Sequence, residues 1–486
     1  MSGDAGDPAP EDVRALVAID LGAESCRVSL LRWREGLPEM TLVERFANAP
    51  RMSDGGLRWD IRRILEGVDR GLRRCAEIAV EGVRSIAVDG WAVDYVRLDE
   101  HGQALADPYC YRDERTVGAE QAVHRLCTPE ALRRLTGVQL FRINTLYQLY
   151  ADRMQGNPEG ARWVNLPEYV LMHLGAPAVA ECTNATHTGM VALHEGRWCE
   201  EVFAATQLEV GRAPKVVAPG TRLGRLRGPL AELPGMVNVE LIAPACHDTA
   251  SAVAGIPATG DDWAYISSGT WSLVGTVLEQ PCNDAATADE NFTNLGAVGG
   301  KICFHRNVNG MWLLRQCMDD WAEAGGAWGL EELVAAAERE EAPDALLDVD
   351  DPELMLSGRM LKRINWQRAR CGLAAVKTAP DFAPEVVNLI FHSLAARYAE
   401  VLGRIAVHSG KRLRRIFVVG GGSRNEYLNR LTAEATGLQV LRGAAESSTV
   451  GNFAVQLAVL EGRDHPEGGV DADDVSRWAE VLFRLA

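Results

Sequence analysis

Apolar and polar positions along this chain follow two periods that alternate, one suited to strands and one to helices. Leu16-Val17-Ala18-Ile19 is a short apolar run that predicts a buried strand, ended by Asp20-Leu21-Gly22. Arg27-Val28-Ser29-Leu30-Leu31 alternates as a returning strand, which makes residues 22–26 a hairpin turn. Ile61, Ile64, Leu65, Val68, Leu72, Cys75 and Ala79 keep helical spacing, so residues 60–79 read as an amphipathic helix with arginines on its outer face. Ser85-Ile86-Ala87-Val88 then predicts a strand running into Asp89-Gly90-Trp91-Ala92-Val93-Asp94-Tyr95. Strand, helix and strand in that order argue for an α/β lobe.

After Gly255-Ile256-Pro257 the pattern restarts. Trp263-Ala264-Tyr265-Ile266 predicts a strand, Ser267-Ser268-Gly269-Thr270 a turn, and Trp271-Ser272-Leu273-Val274-Gly275 a return. Two lobes that open alike suggest a duplicated fold. Residues 385–409 form a long predicted helix closed by Gly410. A buried strand at 415–419 runs into Gly420-Gly421-Gly422-Ser423, and Leu438-Gln439-Val440-Leu441 is another strand. Ser447-Ser448-Thr449-Val450-Gly451-Asn452 is read as the cap of a final helix, and the acidic stretch 343–353 as an exposed loop.

At 486 residues the chain is too long for one ordinary core, and the restart sets the expected boundary between 13–255 and 256–486. Residues 1–12, polar and acidic with two prolines, are expected to be a disordered tail. A net charge of -17, spread along the chain, repels phosphate backbones and argues against nucleic-acid binding. It does not exclude a nucleotide, which a nest of backbone N–H groups holds locally. The eleven cysteines are scattered without a C-x-x-C pair, the pattern of reduced thiols in a cytosolic protein. No apolar run approaches the ~20 residues that cross a bilayer, so a soluble cytoplasmic protein without a membrane partner is expected.

Candidate chemistry centres on His247-Asp248-Thr249, where an apolar run at 239–246 meets small residues that open a helix. Asp248 thus sits where α/β proteins place reacting groups, at the end of a strand and the start of a helix. The turns at 20–27 and 267–270 offer glycine and hydroxyl donors to an anion, although a plain edge hairpin needs the same residues. Asp89 and Asp94, two carboxylates bracketing Trp91 with Tyr95 beside, are parts that hold a sugar; a core Trp91 beside a solvated Asp94 reads equally well. Three glycines at 420–422 let backbone approach a ligand closely. There is no Walker A loop, no H-E-x-x-H and no protein-kinase H-R-D set.

With these pieces in order, the chain resembles the FGGY carbohydrate kinases of the actin-like ATPase group over about residues 15–460. The resemblance rests on Val88 through Tyr95, Tyr111-Arg112-Asp113-Glu114-Arg115-Thr116, Asn144-Thr145-Leu146-Tyr147-Gln148-Leu149, Thr183-Asn184-Ala185-Thr186, the stretch from His247 to Ala252, and the one from Tyr265 to Leu273. It implies an α/β, two-lobed actin-like ATPase (ribonuclease-H-like) fold with mixed sheets flanked by helices, an N-terminal sugar-binding lobe and a C-terminal ATP-binding lobe. It implies ATP-dependent phosphorylation of a ketose, foremost L-rhamnulose at its C1 hydroxyl, with Asp248 as the base. Trp91, Ala92, Asp94, His247, Thr249 and Asn307 would line the sugar. Ala23, Glu24, Ser25, Cys26, Arg27, Thr270 and Arg315 would face phosphates, and Gly421 and Gly422 the adenosine. Asp20 would orient the Mg²⁺ shell through water. Cys26 stands where the family's turn commonly has Gly, Ala92 replaces a sugar-site Gly, and Arg315 falls where a Gln is common. L-fuculose, L-xylulose or ribulose remain alternative substrates, and a non-catalytic sugar sensor is a further reading that has no need of Asp248. Monomer and homodimer both stay open. An Asp of ordinary pKa, roughly 4, suffices as base, because a hydroxyl becomes acidic only late in phosphoryl transfer.

Overall fold

The apolar run at 16–19 forms the middle of strand β1 (Ala15–Leu21), buried at every position. It lies between two neighbours in a computed structural model that describes residues 10–462 and 469–483. The expected N-terminal tail falls, for residues 1–9, outside the described residues. On one side β1 pairs antiparallel with β2 (Ser25–Arg34), which pairs in turn with β3 (Leu37–Ala47). On the other it pairs parallel with β4 (Val83–Gly90). With β5 (Arg222–Arg225) and β6 (Glu240–Ile242) the sheet runs β5-β6-β4-β1-β2-β3. The turn after β1 is therefore interior to the sheet, which removes the edge-hairpin reading. The helix Ile61–Ile78 buries Ile61, Ile64, Val68, Leu72 and Cys75, as its spacing requires. Gly71 lets it close on the sheet, since a Cβ there would stand 2.6 Å from the Val28 side chain.

The chain divides into two compact units, and the division is interleaved. The first unit comprises residues 1–259, 278–304 and 447–486; the second comprises 260–277 and 305–446. The sequence reading placed a single boundary after residue 255. The chain's return at 447 has a physical cause in the helix Ser447–Glu461, which is buried on nearly all faces and needs cover all round. Its one polar stripe, Ser448, Asn452 and Gln456, recurs every four residues and bonds to Asp20, Asp89 and Ser85 of the first sheet. Gly451 gives the close approach to the helix Asp248–Ala254, a Cβ there falling 1.8 Å from the Ser251 carbonyl oxygen. The stretch 447–452 thus lies within the helix rather than capping it, and the helix Ala472–Phe483 follows.

The second unit repeats the plan. Strand β7 (Trp263–Ser268) pairs antiparallel with β8 (Trp271–Leu278) and parallel with β10 (Arg415–Val419), in the order β9-β8-β7-β10-β11 with β9 (Ile302–Asn309) and β11 (Gln439–Arg442). The long helix Ala383–Ser409 ends at Gly410, whose φ of 68° is the left-handed stop the sequence announces. The acidic stretch 343–353 is more tied down than expected. Asp350 pairs with Arg306 and Arg397, while Leu347, Val349 and Asp351 are buried. Among the described residues no helix is long and apolar enough to cross a membrane.

Candidate active site

In the first unit, three strand ends and one helix start converge. Asp20 on β1 is the register partner of both Arg27 on β2 and Asp89 on β4, so the three side chains share one face of the sheet. Arg27 donates to Asp20 Oδ2 at 3.2 Å and Ser448 Oγ donates to the same oxygen at 2.9 Å. Asp89 is fully buried and accepts from Asn452 Nδ2 at 2.6 Å through Oδ2, while its Oδ1 has no hydrogen-bond partner among the described residues. Burial, then the charge of Asp20, holds Asp89 well above the ordinary carboxylate range against the Asn452 bond, and the charge of Asp248 adds to the rise. The Asp20–Asp89 pair therefore favours one negative charge over two.

Asp248 opens the helix Asp248–Ala254, with His247 at the N-cap position in extended backbone. Two contacts place this corner: Gly90 N donates to Cys246 O at 2.9 Å, and His247 N donates to Thr183 Oγ1 at 3.2 Å. Behind it lies the fully buried Glu181, which accepts from Thr183 N, Thr183 Oγ1 and Cys246 N at 2.9, 2.5 and 2.7 Å. Burial pushes Glu181 up to about 8. Thr249 Oγ1 donates to Asp248 Oδ1 at 3.2 Å, and His247 Nε2 lies 3.2 Å from that oxygen. Though 38% of the Asp248 side chain meets solvent, the surrounding protein pushes its carboxyl up to about 6, with the Thr249 bonds opposing. This corrects the expectation of an ordinary value near 4. A base near 6 is ionised at neutral pH yet stronger than a free aspartate.

The other predicted residues of the first unit divide. Ala23 and Glu24 form the turn after β1, Glu24 with its side chain exposed, and Ser25 begins β2 half-buried. Cys26 turns inward: its thiol is buried, pushed up to about 12 and directed at Gly22 O, so only its backbone can face a ligand. Asp94 is a correction. It is 0% exposed, and its carboxylate accepts from Trp59 Nε1 at 2.6 Å, Trp91 Nε1 at 3.0 Å, Tyr111 N at 3.2 Å and Gln148 Nε2 at 3.1 Å. Such a group anchors the interior and has no face for a sugar. Trp91 is buried beside Trp59, ring centroids 4.7 Å apart, with its indole N–H spent on Asp94. Between them Ala92 is buried and Val93 takes φ 71°, a left-handed conformation rare for a β-branched residue. Thr145 Oγ1 and Gln148 Nε2 hold that turn by donating to Val93 O at 2.7 and 3.2 Å. Strain of this kind gathers at binding turns.

In the second unit the Ser268-Gly269-Thr270 turn and the Gly420-Gly421-Gly422 loop follow the same edge of parallel strands β7 and β10, where Ser267 faces Val419. The carboxyl ends of parallel strands are the usual ligand edge of such sheets. Thr270 is exposed, and its turn is fastened to the helix Trp312–Glu323 by Met311 N donating to Gly269 O at 3.0 Å. A Cβ on Gly422 would stand 2.0 Å from Ser268 Oγ, whereas one on Gly421 would meet nothing within 4 Å. The hydroxyls of Ser268 and Ser423 and the amide nitrogen of Asn425 are buried without partners among the described residues. Open backbone beside unspent polar groups fits a nucleotide. Asn307 is half-buried on β9. Arg315 is 68% exposed and pairs loosely with Asp319 at 3.8 Å.

Asp89 is read from the sequence as a sugar carboxylate rather than a partner of Asp20, and Asn452, Ser448, Glu181 and His187 carry no site expectation, although the stripe 448-452-456 has a readable signal in its four-residue spacing. A magnesium ion bound by one or two carboxylates plus phosphate oxygens fits Asp20 with Asp89 beside it. A cluster of three or more His, Cys, Asp or Glu side chains suited to a metal is absent among the described residues.

Known proteins similar to this chain show its family. Residues 15–255 match the N-terminal domain and residues 264–460 the C-terminal domain of the FGGY family of carbohydrate kinases. A rhamnulokinase of Bacteroides thetaiotaomicron is 34% identical over 472 residues, covering 96% of this chain and 93% of the relative. One of Lactiplantibacillus plantarum is 32% identical over 445 residues, covering 92% and 90%. In fold the chain is similar to a xylulose kinase of Lactobacillus acidophilus, with TM-score 0.75 at 13% identity over 97% of this chain and 96% of that one.

Proposed function

Because the chain belongs to the FGGY family of carbohydrate kinases and is thereby an ATP-dependent sugar kinase, we propose that it converts L-rhamnulose to L-rhamnulose 1-phosphate with Asp248 as the general base. The observation that carries this reading is the Asp248 corner: a carboxyl at a helix start, raised to about 6, held by Thr249 and adjoined by His247. The sugar's C1 oxygen attacks the γ-phosphorus, the bond to the ADP oxygen breaks, and the hydroxyl proton passes to Asp248. The transition state is loose, so positioning and charge neutralisation do most of the work. The sugar assignment is supported by relatives named rhamnulokinase at 32–34% identity over more than nine-tenths of the chain. Ala92 and the strained turn at Val93 supply the sugar side. The backbone of 23–27 is the phosphate turn of the first unit, and Thr270, Gly421 and Gly422 are the nucleotide residues of the second unit.

Asp20, with Asp89, would hold Mg²⁺, which when bound neutralises charge on the phosphate oxygens. Arg27 orients Asp20, and Asn452 fixes Asp89 through Oδ2. The protein works in the cytoplasm on this reading. The test is ADP release with Mg-ATP against L-rhamnulose, L-fuculose, L-ribulose and L- and D-xylulose, with Asp248→Asn alongside. Turnover of L-rhamnulose at tens-fold higher kcat/KM than the others, lost in the variant, is expected. Preference for another ketose overturns the substrate, and no turnover on any sugar overturns the enzyme.

A further inference from the structure

Two imidazoles and a carboxylate form a line in the first unit. His187 Nε2 lies 3.0 Å from His247 Nδ1 in a hydrogen bond, the rings 3.8 Å apart at 49°. His247 Nε2 in turn lies 3.2 Å from Asp248 Oδ1. We propose that His187 is a positioning residue that fixes the His247 tautomer, so that an N–H, rather than a lone pair, faces the catalytic carboxylate. This rests on the reading of Asp248 as the base.

A neutral imidazole has one N–H and one lone pair. The nitrogen facing the Asp248 carboxylate at 3.2 Å must carry the N–H, because a lone pair there would repel the carboxylate oxygen. In neutral His247, Nδ1 is then the acceptor and His187 Nε2 donates to it, whereas an imidazolium would reverse that bond. The opposite assignment sets His247 Nδ1–H toward His187 and turns a bare nitrogen on Asp248. A donor fixed on the far nitrogen of an imidazole selects its tautomer, as carboxylates and carbonyls do elsewhere with the opposite polarity.

The neighbours hold both rings in place. His187 belongs to the turn Thr186–Thr188, where Asn144 Nδ2 donates to its carbonyl at 2.9 Å. The same segment reaches back through Thr183 to the His247 backbone N–H and through Glu181 to the Cys246 N–H. One stretch, 181–188, therefore sets both the backbone and the imidazole of the residue preceding the base. Burial holds His187 well below the usual imidazole range, so it stays neutral and keeps a single N–H. His247 and Thr249 both meet Asp248 at Oδ1.

The test uses the full-length protein labelled with ¹⁵N at histidine. The side-chain nitrogen shifts of His247 and His187 are read in wild type, His187→Leu and His187→Gln, with thermal melts and with kcat and KM on the ketose that wild type turns over best. Gln keeps an N–H near the place of Nε2. Expected are Nε2–H on both histidines in wild type, loss of the single His247 tautomer in His187→Leu with kcat reduced about 10- to 30-fold and KM for ATP unchanged, and recovery of most of both by His187→Gln. An Nδ1–H tautomer of His247 in wild type overturns the proposal. So does His187→Leu with tautomer and kcat intact. If His187→Leu does not fold, His187→Gln decides: retained tautomer and rate support it, and a folded Gln variant with the tautomer lost overturns it. Absence of kinase turnover in wild type would reject the function while the tautomer still judges His187.

Discussion

Replacing Asp94 by alanine separates an interior anchor from a sugar contact. The carboxylate accepts from two indole N–H groups, the Tyr111 backbone N–H and Gln148 Nε2. Gln148 keeps acceptors at Val93 O and Ile143 O, so it is not stranded. Three donors remain, each buried, and an orphaned buried donor costs about 2 kcal/mol, about 6 in all. An opposing term exists. Burial pushes Asp94 from 3.8 up to about 6, and keeping it ionised at neutral pH costs the fold about 3 kcal/mol, which alanine relieves. The net loss is about 3 kcal/mol, a fall in Tm of about 4–5 °C for a unit of more than 300 residues.

The pH dependence carries a sign. A carboxyl whose folded pKa is raised makes the folded state the tighter proton binder, so it lowers stability as pH rises from about 4 through 6. The alanine variant lacks that share of the slope. Thermal melts between pH 4 and 8, with sugar KM measured at about 20 °C on folded protein, check both statements. A variant that melts within about 2 °C of wild type while its sugar KM climbs tenfold would refute the reasoning and place Asp94 against the sugar.

Three further outcomes follow from the same geometry. The acid limb of kcat/KM should have its midpoint near 6, activity rising with pH as Asp248 ionises, and Asp248→Asn should lower kcat by about 10²–10⁴ with the fold intact by circular dichroism. Val93→Gly should release about 1 kcal/mol of left-handed strain but lose a buried side chain worth about 2–3 kcal/mol, lowering Tm by about 1–3 °C, while a looser turn raises the sugar KM; an unchanged KM would separate the turn from binding. Gly421→Ala should fold like wild type, its Cβ meeting nothing within 4 Å, and raise the ATP KM at least tenfold, whereas Gly422→Ala should lower Tm because its Cβ falls 2.0 Å from Ser268 Oγ.

What was legible in the chain was what local pattern controls. The burial of β1, the helix at 61–78 and the stop at Gly410 follow from runs, spacing and one left-handed glycine, and the helix start at Asp248 follows from its small residues, although strand β6 ends at Ile242 and residues 243–246 intervene. What was not legible depends on partners brought from far along the chain. Asp89 joins Asp20 only through the parallel register of β1 and β4. Asp94 looked like a ligand group because its role is set by Trp59, 35 residues earlier, and by Gln148, 54 residues later. The stripe Ser448, Asn452 and Gln456 announces a polar face, but not that this face meets the first sheet and draws the chain back to the first unit. Asp89 and Asp94 both bracket Trp91 and are equally buried, yet one keeps an oxygen without a partner among the described residues and the other has both engaged. A carboxylate's function here is decided by how many donors the fold delivers to it, a count that spacing along the chain does not carry.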